Sequence, residues 1–82
     1  MRYLVESYHS SAADATMAEE SARAAAAATA GSPSLVRYVE SIFVPGDEVC
    51  FHLFEAPSLA TLRQALETGA VDFERLVEAS GQ

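Results

Sequence analysis

The chain contains no lysine, only one cysteine, and no apolar run near the length of a membrane span. Each absence removes a class of protein. Five arginines face twelve acidic residues, for a net charge of −7. That is the wrong sign for nucleic acid or an anionic membrane surface, where Lys and Arg must displace counterions from phosphates. Acidity suits cationic partners, metal ions among them, and equally suits plain solubility. A lone cysteine, Cys50, forms no internal disulfide, which fits a reducing, cytoplasmic setting. No apolar run approaches about 18 residues and no signal-peptide pattern opens the chain, so neither a membrane span nor secretion by that route is expected. The G-x-S-x-G elbow, the Walker loop, G-x-G-x-x-G, C-x-x-C and H-E-x-x-H are all missing. The expectation is therefore a binding protein rather than an enzyme.

Eighty-two residues make one domain, 1–82, with a lean core. Half the residues are apolar, but many are alanine, which buries little area. Arg2–Tyr8 (RYLVESY) is β-branched and aromatic and predicts a first strand. Thr16 and Glu19 form a capping box that would open a helix over about Met17 to Thr29, stopped by Gly31 and Pro33. Ser11 with Asp14 offers an earlier cap, but Glu19 and Glu20 suit a first turn, where the helix dipole favours carboxylates. Ala22, Ala25 and Ala28 recur at helical spacing, giving a face that can lie close to a sheet.

Leu35–Val44 and Glu48–Glu55 read as two strands around Pro45-Gly46-Asp47. Ser58 caps a second helix whose stripe is Leu59, Leu62 and Leu66, ended by Gly69. Phe73–Ala79 predicts a fourth strand. The order βαββαβ is that of the α+β ferredoxin-like sandwich, one antiparallel sheet with both helices on one face. Its other face lacks a helical cover, so apolar residues there call for a second copy of the chain.

A three-residue hairpin loop would set Val44 opposite Glu48. Val39, Ser41 and Phe43 would then face Leu53, Phe51 and Val49 on the helix-covered side, with Arg37 opposite Glu55 as a structural ion pair. The open side would pair Ile42 with Cys50, Glu40 with His52, and Tyr38 with Phe54. A two-residue turn would mix the two sets. In this register Glu40 and His52 are close enough to share a metal ion or simply to hydrogen-bond each other. Imidazole with carboxylate suits Ni, Zn, Cu or Fe. Cys50, Glu6 and His9 are further candidate ligands, with Tyr8 nearby. Each has a plainer reading: Cys50 as a small buried hydrophobe, Glu6 paired with an Arg, His9 solvated in its loop. Tyr38, Ile42 and Phe54 read as a dimer interface.

The segments RYLVESY, VRYVESIFVPGDEVCFHLFEAPS, LATLRQAL and FERLVEA together resemble the small bacterial nickel-binding, ferredoxin-like family of the Streptomyces type. Val5-Glu6, Ser41, the Glu55-Ala56-Pro57 step and Arg75 before an apolar pair are the most specific marks. The resemblance covers most of the chain and is weakest over residues 9–15 and the first helix. It implies a βαββαβ fold, a homodimer and a bound nickel ion in at least one member, without implying a catalysed reaction. Positions matching Glu40 and His52 often look like His and Cys in that family, so no ligand list is carried over. Two functions follow as expectations: a dimeric nickel-favouring storage, buffering or sensing protein, or a dimeric α+β barrel that binds or transforms a small molecule using His, Tyr and Glu.

Overall fold

A computed structural model describes residues 1–33 and 35–79. Four strands, β1 (Arg2–Tyr8), β2 (Arg37–Val44), β3 (Val49–Glu55) and β4 (Arg75–Ala79), form one sheet in the order β2-β3-β1-β4. All three pairings are antiparallel. Helices α1 (Ala12–Ala27) and α2 (Leu59–Thr68) complete the βαββαβ order of a ferredoxin-like α+β fold. Alternation along β1 turns Tyr3, Val5 and Ser7 inward, and their partners on β3 are Phe54, His52 and Cys50. Tyr3, Val5 and Phe54 share one core with Ala22, Ala25 and Ala26 of α1 and Leu62, Ala65 and Leu66 of α2. Both helices therefore cover the same sheet face.

Helix α1 begins five residues earlier than the capping box predicts. Ser11 is the N-cap, its Oγ accepting from the Asp14 amide at 3.2 Å. Thr16 is already inside the helix and donates to the Ala12 carbonyl at 3.0 Å. Glu19 does not reach back to a cap; Arg23, one turn on, donates to its Oε1 at 2.6 Å. A charge-assisted bond to a guanidinium outcompetes a box closed on a backbone amide.

The hairpin holds the larger departure. Pro45–Asp47 form a short 3-10 turn, and Glu48 follows in the left-handed region (φ 53°), its amide donating to the Pro45 carbonyl at 3.2 Å. Glu48 thus belongs to the loop, and Val44 lies opposite Val49 rather than Glu48. Ser41 then lies opposite His52, Phe43 opposite Cys50, Ile42 opposite Phe51 and Glu40 opposite Leu53. A register shift between Tyr38 and Glu40, with Val39 the extra residue, restores the expected Tyr38–Phe54 and Arg37–Glu55 pairs. Inward positions on β2 are consequently 38, 41 and 43, a spacing no simple alternation produces.

The faces expected of β3 are therefore exchanged, and Tyr38 turns inward with them, while Ser41 and Phe43 stay on the helix side and Glu40 and Ile42 on the open side as expected. His52, Cys50 and Phe54 are buried on the helix side, and Tyr38 packs there against the core. Leu4, Ile42, Phe51, Leu53 and Val77 share the open face with Glu6 and Glu40, as their pairings require. Of the three residues expected at a dimer interface only Ile42, 54 % exposed, is on that face. Glu55 does take Arg37 as its partner (2.9 Å) and Arg2 as a second (3.2 Å). These exposed pairs are worth about 0–1 kcal/mol each.

Gly69 ends α2 for a reason other than backbone conformation, since its φ is −82° and Ala70 takes the left-handed turn. A Cβ on Gly69 would lie 2.8 Å from Ala25 Cβ and 3.3 Å from Ala25 Cα and the Ala65 carbonyl oxygen. The alanine face of α1 lies against the end of α2, and only hydrogen fits between them. Gly69→Ala should destabilise the fold by about 1–3 kcal/mol in urea unfolding. Gly46→Ala, with nothing within 4 Å, should stay within about 0.5 kcal/mol of the parent. Equal midpoints for the two variants would contradict the close packing.

Candidate functional site

Between the sheet and α1 runs a continuous chain of polar side chains. β3 places His52 inward at 1 % exposure, between Ser41 on β2 and Val5 on β1. Ser41 Oγ and His52 Nδ1 share a hydrogen bond of 2.6 Å. Ser41 also meets the Tyr38 hydroxyl at 2.6 Å, and Tyr38 donates onward to Glu19 Oε1 at 3.3 Å. Arg23, already bonded to that oxygen, stands 5.0 Å above the Tyr38 ring. On the other side His52 Nε2 meets Ser7 Oγ at 3.3 Å, and His9 Nε2 meets the same Oγ at 2.8 Å. His9 is held just past the end of β1 by its backbone amide, which donates to the Glu48 carbonyl at 2.8 Å. Seven side chains from three strands, one helix and the loop after β1 thus connect that loop to the exposed side of α1.

Every buried side-chain nitrogen and oxygen among the described residues has a partner. That matters because an unpartnered buried polar group costs about 1–3 kcal/mol. Burial pushes the His52 pKa below the ordinary imidazole value; nearby His9 pushes the same way and Glu19 partly opposes them. Burial likewise pushes the Cys50 thiol up, with Glu19 adding to the effect. Its Sγ lies 3.9 Å from His52 Nδ1. Cys50 is a buried neutral thiol, as its plainer reading held.

The five candidate ligands divide across the sheet. His52, His9 and Cys50 belong to the helix side. Glu40 pairs with Leu53 on the open face, so it does not meet His52. Glu6 also faces outward, where it accepts from the Tyr8 hydroxyl at 3.0 Å, with Arg75 opposite on β4. Among the described residues no three His, Cys, Asp or Glu side chains are grouped to hold a metal ion. The five-residue set therefore does not fit one ion. Two imidazoles meeting on one hydroxyl are what survives of it. The register error hid Ser41, Tyr38 and Ser7, and the wrong cap hid Glu19. The signal that could have found Ser7 is the inward alternation Tyr3, Val5, Ser7.

Fold and site together define a ferredoxin-like α+β domain with a buried histidine relay under its first helix. Among solved structures it is similar to the crystal structure of SCO4226 from Streptomyces coelicolor A3(2), with a TM-score of 0.74 and 13 % identity over 100 % of this chain and 99 % of that one. At that identity the likeness speaks for the fold alone. No protein-family description and no curated protein matches the sequence. No helix among the described residues is long and apolar enough to cross a membrane.

The lowered His52 pKa has a definite consequence for stability. The unfolded chain takes up a proton near pH 6.5, where the folded chain still resists it. The stabilisation is complete above that pH and is lost as pH falls through the lower, folded value. Metal-free wild type should lose more of its thermal midpoint between pH 7.5 and 5 than His52→Gln does. Parallel losses would contradict a buried neutral imidazole.

Proposed function

We propose that this is a homodimeric metal-binding protein without catalytic activity. Its ligand is a first-row divalent ion, nickel favoured, in a storage, buffering or sensing role. The observation that carries the reading is the meeting of His9 Nε2 and His52 Nε2 on Ser7 Oγ, at 2.8 and 3.3 Å. Two imidazoles so placed can close on a common centre once the hydroxyl turns aside and His9, in its loop, moves inward, since metal–imidazole bonds are about 2 Å. Burial keeps His52 neutral, and neutral imidazole is the ligating form. Nitrogen donors favour nickel and copper over cobalt and manganese, and the family resemblance singles out nickel. The remaining positions fall to water or to a second copy of the chain, since two protein ligands do not close a site.

The second copy has its own support. Leu4, Ile42, Phe51, Leu53 and Val77 form an apolar patch on the sheet face away from the helices. Covering such a patch is favourable by about 25 cal/mol per Å². Light scattering at micromolar concentration should give twice the 8.7 kDa chain mass, and Leu53→Glu should halve it. A wild type that scatters as a single chain would remove the dimer.

A second reading rests on the Tyr38–Ser41–His52 contacts beside a cleft of about 480 Å³ that also includes Arg23, Val36 and Arg37. There the protein would bind or transform a small organic anion, with Tyr38 as the proton-bearing group.

Equilibrium dialysis of untagged, chelator-stripped protein against nickel separates the two. Wild type should retain the ion; His9→Ala and His52→Ala should each weaken retention by about tenfold or more. Glu40→Ala, on the opposite face, should leave it unchanged. Retention that depends on Glu40 but not on the histidines would overturn the assignment. Absence of retained metal would leave the organic-anion reading.

A further inference from the structure

The relay admits only one direction of hydrogen bonding. Glu19, paired with Arg23 at 2.6 Å, is a carboxylate and can only accept. Tyr38 has a single proton and gives it to Glu19 across 3.3 Å. The 2.6 Å contact between Tyr38 and Ser41 must then be filled by the Ser41 hydroxyl proton. Ser41 has no second proton, so its 2.6 Å contact with His52 requires a hydrogen on Nδ1. In the neutral ring Nε2 is then bare and accepts from Ser7, and Ser7 in turn accepts from Nε2–H of His9. Suppose instead that neutral His52 carried its proton on Nε2. Ser41 would have to donate to Nδ1 and Tyr38 to Ser41, leaving the Tyr38–Glu19 contact with two oxygens and no hydrogen.

We infer that Glu19, acting through Tyr38 and Ser41, is a positioning residue that holds His52 in its Nδ1–H tautomer, with the Nε2 lone pair turned toward Ser7 and His9. The inference rests on the metal reading only for its consequence. Nε2 is the His52 nitrogen available to an ion, and Ser41 orients the ring through the other, as an outer-shell acceptor does for a ligating histidine. His9 opens to a cleft of about 240 Å³ that also includes Asp14, Met17 and Asp72. Solvent reaches the relay from that end, while its direction is set from the other, where α1 meets β2. A mutation at half-buried Glu19, on the flank of the helix beside β2, therefore acts on the chemistry of a fully buried ring.

The tautomer is read directly by long-range ¹H–¹⁵N correlation of the imidazole nitrogens in metal-free protein at pH 8. Wild-type His52 should show a protonated, pyrrole-type Nδ1 and an unprotonated, pyridine-type Nε2. Glu19→Ala removes the terminal acceptor and Tyr38→Phe removes the link. Each should let a substantial Nε2–H population appear, with the backbone amides of α2 unmoved as the check on folding. Nickel affinity should fall about threefold or more in both variants although neither residue touches the ion; outer-shell losses of tenfold and above are ordinary. Nε2–H as the main wild-type tautomer, or an unchanged tautomer in both variants, overturns the inference. Wild-type protein that retains no nickel overturns the metal reading instead and leaves the tautomer result standing.

Discussion

The 2.6 Å contact between Ser41 and His52 is the constraint on which the interior depends. An imidazole taken out of water needs partners for both ring nitrogens, because each orphaned group costs about 1–3 kcal/mol. Ser41 supplies one and Ser7 the other. Ser41 can do so only because Glu48 joins the hairpin loop and brings Ser41 opposite His52. Two residues back along the strand, the extra Val39 returns β2 to a register that turns Tyr38 inward. The ring of Tyr38 packs edge-on against Phe54 at 5.8 Å, and its hydroxyl completes the path to α1. A local loop conformation, a bulge and a helix are thereby tied to one buried ring.

Much of the architecture was legible because it rests on local signals. β1 announces itself by alternation, α2 by its Ser58 cap and leucine stripe, and the hairpin by Pro45-Gly46-Asp47 between apolar runs. Ser58 does accept from the Thr61 amide, at 3.1 Å. The site was harder to read because it depends on counting residues through a turn. Glu48 adopts a left-handed conformation that favours glycine, and nothing in its side chain signals this. No Gly or Pro marks the bulge at Val39 either. One residue of error in the loop was enough to exchange the two faces of β3 and pair Glu40 with His52. Ser11 and Thr16 offered two caps of similar quality, and the choice turned on Glu19. Its carboxylate is engaged by Arg23, one helical turn on, and by Tyr38 of β2, a contact that exists only after folding.

The two faces of the sheet differ in character. On the open face are apolar side chains and the outward carboxylates of Glu6 and Glu40, the surface proposed to meet another copy of the chain. On the covered face the alanines of α1 allow a close approach, and the polar relay occupies the space beneath the helix. His52 is influenced chiefly by its burial and by His9 rather than by the carboxylates of a chain with net charge −7.

The central claim is that ligand chemistry belongs to the covered face, at His52 and His9. Paramagnetic nickel tests this by location. Titrated in small amounts into ¹⁵N-labelled protein, it should first broaden the amides of Ser7, His9, Cys50 and His52. Broadening that starts instead at Glu6, Glu40 and Ile42, on the open face, would contradict the account.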